Sequence, residues 1–235
     1  MIKKSFLLRL VLDGIAAGAL LVAIAYYWLG NLTHEVIGTG IFLLVLLHNF
    51  FNRRWWGKVK QAPRAPRGWV DLSLTFTLLA AMLALLLTSV WISQSVFSFL
   101  APPGGFTSTR IHALAAHWVV ILVAVHLGIR WTRVMHAARS LFGLADANRI
   151  RTALMRLLAV ATAGFGLQSS FAMEVGTKLA MQMSLEWWDF EASAPGFFVR
   201  WISILGLYVF LTHYTLAAVH AWRGRSLAGA TSPKG

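Results

Sequence analysis

The stretch His34-Glu35-Val36-Ile37-Gly38-Thr39-Gly40-Ile41-Phe42-Leu43-Leu44-Val45-Leu46-Leu47-His48 decides how the chain reads. It is an apolar run with a histidine at each end. On an α-helix the two histidines lie about 21 Å apart along the axis and only about 40° apart around it. Both rings then point the same way, one near each surface of a hydrocarbon layer about 30 Å thick. A second stretch, His112 to His126 (HALAAHWVVILVAVH), repeats the spacing. Two helices that each present two imidazoles at matched depths can hold two metal-centred discs between them.

The composition places both stretches in a membrane. Of the 235 residues, 58% are hydrophobic and 12% charged, and the mean hydropathy is +0.67. A soluble domain carries roughly 25% charged residues, so repeated long apolar runs at half that charge imply an integral membrane protein. The chain has no cysteine. That excludes disulfides, thiolate iron–sulfur ligation and covalent C-x-x-C-H haem attachment. Any haem is then held noncovalently, with His, Met or Tyr as iron ligand. The N-terminal order, basic Lys3-Lys4 followed by apolar residues, resembles a signal peptide, but the apolar run continues to about Leu29. It is too long for a secretory core and reads as an uncleaved first span.

Six segments are long and apolar enough to cross: 8–29, 34–51, 72–93, 112–131, 153–172 and 197–219, read as one membrane domain over 1–235. Arg9 and Asp13 sit near the start of the first span and are expected to pair or to reach the interface. The turn Gly30-Asn31-Leu32-Thr33 makes the first two spans antiparallel neighbours. Its Asn31-Leu32-Thr33 matches a glycosylation sequon, without further support. Basic residues set the orientation. With the N-terminus inside, only Arg110, Lys178 and Arg200 of the 21 Lys and Arg lie outside. Such a bias predicts an all-α bundle of six spans with both termini cytoplasmic. It also accounts for the net charge of +13 without nucleic acid. Trp28, Trp55, Trp56, Trp69, Trp91, Trp131 and Trp222 fall at span ends, as an interfacial belt does. The loop 173–196 is acidic and aromatic, and Lys178 to Trp188 is expected to form a short amphipathic surface helix.

In that topology the second and fourth spans run parallel. His34 and His112 are level near the outer face, His48 and His126 level near the inner face. Each couple can ligate one haem iron from both sides, saturating it and favouring electron transfer over oxygen binding. The reading is therefore two haem b groups, with His34, His48, His112 and His126 as axial ligands. Gly38 and Gly40 lie about one turn below His34, where a missing side chain serves either a porphyrin face or helix packing. Arg110, nearly alone as an outer cation, is a candidate propionate partner. Arg53, Arg54 and Arg130 serve either inner propionates or positive-inside topology. His117, about 180° around the helix from His126, is expected to donate a hydrogen bond or line a pocket. His213 and His220 share one face of the last span and fit a quinone site, a proton path, the inner haem in place of a ligand named above, or the inner interface. His136 belongs to a cytoplasmic linker.

These residues resemble the flavinylation-associated, formate-dehydrogenase-gamma-like membrane cytochromes b, a family otherwise described as a domain of unknown function. The resemblance rests on His34-Glu35, His48-Asn49 and Arg53-Arg54-Trp55; on Ile111-His112, His117-Trp118 and His126-Leu127-Gly128; and on Trp188-Asp189-Phe190-Glu191 with His213-Tyr214. It covers about Asn31 to Tyr214. It implies a di-haem b-type subunit of a bacterial inner membrane that passes electrons between the quinone pool and an extracytoplasmic redox partner. No flavin or nicotinamide domain is present, so the expectation is a non-catalytic electron-transfer subunit, with loop 173–196 as a docking surface. The competing readings are a haem-free transporter or metal-ion permease using the histidines, and a structural assembly partner. No proline falls inside the six proposed spans and acids within them are scarce, which counts against the transporter.

Overall fold

In hydrocarbon every backbone N–H and C=O needs an internal partner, and among the described residues helices supply them throughout. The structure, a computed structural model, describes residues 4–57, 59, 66–100, 105–144 and 148–230. Lys3, Lys58, Lys60, Arg64 and Lys234, five of the basic residues counted on the inner side, lie outside them. The elements are α1 (Lys4–Ile24), α2 (Tyr26–Phe51), α3 (Arg53–Trp56), α4 (Pro66–Ile92), α5 (Phe106–Leu141), α6 (Arg149–Ala172), α7 (Val175–Leu179) and α8 (Phe190–Ala230). Six of them, α1, α2, α4, α5, α6 and α8, are long and apolar enough to cross a membrane, the pattern of a multi-pass integral membrane protein.

Three antiparallel hairpins build the bundle: α1 with α2, α4 with α5, and α6 with α8. Side-chain pairs show the direction. His34 meets Ala23 while His48 meets Asp13. Thr88 meets His112 while Asp71 meets Arg130. Helix α5 also packs along α8, so it forms the spine of the assembly. Its Val119, Val120 and Ala124 are at most 1% exposed. The apolar core joins them to Leu20, Ile41, Leu85, Trp201 and Ile204.

Small residues set the closest approaches. A Cβ on Gly166 would stand 2.1 Å from the Ser203 carbonyl oxygen, and one on Gly128 would stand 2.7 Å from Thr212 Cβ. Both glycines therefore let α8 lie directly against a neighbouring backbone, the usual device for helices that gain nothing from water exclusion.

Several boundaries differ from expectation. The first span ends at Ile24, not Leu29, and the chain reverses through Ala25 and then Gly30, whose φ of 76° a side chain would resist. Tyr26 to Leu29 belong to a helical turn before that kink. Helix α5 runs ten residues past Trp131, because nothing breaks it before Gly143 (φ 65°), where Leu144 N–H bonds the Arg139 carbonyl. The surface helix expected over Lys178 to Trp188 does not form. Instead α7 closes at Leu179, and Met181 takes a left-handed φ of 58°. The Gln182 and Met181 amides bond back to Thr177 and Lys178, a helix stop built on a residue other than glycine. Helix α8 begins earlier, at Phe190, with a break at Ser193 whose side chain accepts from Gly196 N–H beside Pro195.

The Gly166 contact predicts that Gly166→Ala destabilises the protein by about 1–3 kcal/mol, because backbone rather than a flexible side chain must give way. Gly164→Ala, where a Cβ meets nothing within 4 Å, serves as the neutral control. Thermal unfolding of both variants in detergent measures the difference.

Candidate functional site

Helix α2 packs closely on α1, but its backbone stands off from α5, and side chains cross the gap. At one end the rings of His34 and His112 meet in a T-shaped arrangement, with centroids 5.9 Å apart and planes at 70°. Two imidazoles bonded through nitrogen to one metal, at about 2.0–2.1 Å each, place their centroids about 6 Å apart. The separation therefore suits a shared metal between the rings.

The partners of these histidines also fix their tautomers. His34 Nδ1 lies 3.0 Å from the Ala23 carbonyl oxygen, which can only accept. His112 Nδ1 lies 3.1 Å from Thr88 Oγ1. The Thr88 hydroxyl spends its single proton on the Ala84 carbonyl at 2.6 Å, so toward His112 it accepts. At the other end His48 Nδ1 lies 2.7 Å from Asp13 Oδ1. His48 Nε2 lies 3.4 Å from Asn52 Nδ2, whereas His34 and His112 donate through Nδ1 and keep the Nε2 lone pair. That is the state in which imidazole ligates a metal, with the second nitrogen anchored.

His126 is within electrostatic reach of His48, Arg130, Asp71 and Asp13. Arg130 Nη2 bonds Asp71 Oδ2 at 3.0 Å. His48 and Asp13 each leave 43% of the side chain open, so the far side of this couple is not packed against protein. A Cβ on Gly38 or Gly40 would meet nothing within 4 Å, and the same holds for Gly14 and Gly18 on α1. Among the described residues no three His, Asp or Glu converge on one point. A disc-borne iron asks only two protein ligands.

The other sequence candidates go elsewhere. Arg110 donates to the Met181 carbonyl and lies over the Phe106 ring, tying α5 to the loop after α7. Arg53 lies over Phe50, its guanidinium carbon 4.7 Å from the ring centroid. His117 donates to Ala113 of its own helix and packs against buried Trp201, centroids 5.7 Å apart. His220 donates to Leu216, one turn back. His213 contacts Tyr214. Neither comes near the two couples through any ring contact or hydrogen bond. Arg9 and Asp13 do not pair. Asp13 turns to His48, while the Arg9 guanidinium sits over Phe51, 5.6 Å from the centroid.

The residues missed by sequence reading are the partners: Asp13, Thr88, Asp71 and above all Glu35. The Glu35 carboxylate accepts from Asn31 Nδ2, Ser93 Oγ and the backbone N–H groups of Gln94, Ser95 and Val96. It binds α2 to the end of α4, and so holds His34 level with Thr88 and His112. The available signal was an acid alone in an apolar span, which has to find an internal partner.

The fold and site thus define a multi-pass α-helical protein with paired intramembrane histidines. Set against family models, curated proteins and solved structures, the chain matches none.

Charge-assisted hydrogen bonds are worth about 1.5–3 kcal/mol each, less when several share one group. Glu35→Ala is therefore expected to lower stability by at least about 3 kcal/mol, and Glu35→Gln by less, since its amide oxygen still accepts. Chemical or thermal unfolding in detergent, followed by circular dichroism, orders the two variants.

Proposed function

We propose that the protein is a di-haem b-type cytochrome subunit. His34 and His112 would hold one haem, His48 and His126 the other, with α2 and α5 as parallel haem-binding helices. The observation that carries this reading is the His34–His112 couple: centroids 5.9 Å apart, each Nδ1 committed to a neutral acceptor. The likeness to formate-dehydrogenase-gamma-type cytochromes b points the same way.

Held by these histidines, haem would supply one-electron chemistry. The chain's own contribution is to fix the ligands. Ala23, Thr88 and Asp13 orient three imidazoles, Glu35 sets the depth of α2, and the apolar walls of α1, α2 and α5 exclude water. The couples lie about 21 Å apart along the helix axes, enough to relay charge across most of a bilayer.

The orientation follows from the distribution of Lys and Arg. It puts both termini in the cytoplasm and the His34–His112 couple near the outer face of a bacterial inner membrane. In that arrangement the subunit carries electrons between the quinone pool and an extracytoplasmic redox protein. A separate redox protein would be its donor or acceptor.

Single replacements test the ligand assignment. His48→Ala and His126→Ala are each expected to lose one haem and keep the other, read from the b-type alpha band and the haem-to-protein ratio. Retention of both haems in both variants would refute the assignment.

A further inference from the structure

The four imidazoles differ in what holds their second nitrogen. His34 donates to a backbone carbonyl and His112 to a hydroxyl, both neutral acceptors. His48 donates to a carboxylate, Asp13 Oδ1 at 2.7 Å. The other acids near the couples have their charge compensated. Glu35 accepts five hydrogen bonds from α2 and the end of α4. Asp71 is paired with Arg130 at 3.0 Å. That pairing also offsets the positive charge that Arg130 presents to His126. Among the described residues no Lys or Arg pairs with Asp13, and the Arg9 guanidinium lies over the Phe51 ring instead.

We infer that Asp13 is a positioning residue that makes the His48–His126 couple the stronger electron donor to its metal, so that the haem there has the lower midpoint potential of the two. An Nδ1–H donating to a carboxylate pushes negative charge into the ring and makes Nε2 more basic. A more basic axial ligand favours ferric over ferrous iron, and hydrogen bonding around the ligands is one of the main controls on haem potential. The His34–His112 couple lacks that push. The asymmetry comes from one side chain on α1, the helix that carries no ligand, and it gives that helix a role in tuning as well as in packing.

The inference rests on the two-haem reading, and redox titration of the purified protein, followed at the alpha band, separates the two. Two components of unequal midpoint are expected. His48→Ala should abolish the lower one. Asp13→Asn should raise the lower midpoint and leave the upper one in place, and Asp13→Glu should restore most of the original gap. The conservative pair guards against misfolding, because both variants must keep two haems for the comparison to count. If Asp13→Asn loses a haem, the Asp13→Glu midpoints and the His48→Ala spectrum decide. The inference is overturned if His48→Ala removes the higher component, or if a two-haem Asp13→Asn protein keeps both midpoints. A preparation without haem would overturn the two-haem reading itself, and this inference with it.

Discussion

A polar side chain inside a hydrocarbon layer has to find its partner within the protein, and that constraint shapes this bundle. The cost of leaving such a group alone is several kcal/mol. The chain places few ionisable residues in its spans, and several of the side-chain contacts between helices run through them. Glu35 gathers the end of α4 onto α2. Asp13 holds His48 across the first hairpin, and Asp71 holds Arg130 across the second. The apolar surfaces between these points fit by shape, through Gly128, Gly166 and Gly206. The polar links decide the level at which each helix stops sliding.

That division of labour explains why the backbone of α2 can stand off from α5 without losing register. Close packing joins α5 to α4 and α8, and α6 to α8. The α1–α2 hairpin is attached by Glu35, by the His34–His112 contact and by the apolar core that Leu20 and Ile41 share with Val119 and Val120 of α5.

The helices were legible in the sequence, and so was the meeting of His34 with His112, because both follow from the α-helical repeat. His34 to His48 and His112 to His126 have one spacing, so equal depth follows once the two spans run the same way. What pairs with them was not legible. Asp13 and His48 are 35 residues apart, and Asp71 and Arg130 are 59 apart. Periodicity within one span says nothing about which face of a different span it meets. Asp13 was set beside Arg9 because the two are neighbours on one helix, yet the structure turns them to different partners. The α7 stop was also hidden, since Met181 occupies a left-handed position where glycine would have been the signal. The end of α5 was overlooked for the opposite reason. A basic, amphipathic extension carries no breaker until Gly143, and charge alone does not end a helix.

The account stands on two iron-bearing sites per chain. The most direct measurement is the haem-to-protein ratio of the purified protein, taken with its reduced-minus-oxidised spectrum. Two noncovalent b-type haems per chain are predicted, with an alpha band that carbon monoxide leaves unchanged, because both axial positions are filled by imidazole. A protein that purifies folded and free of haem, or with a haem that binds carbon monoxide readily, would contradict it.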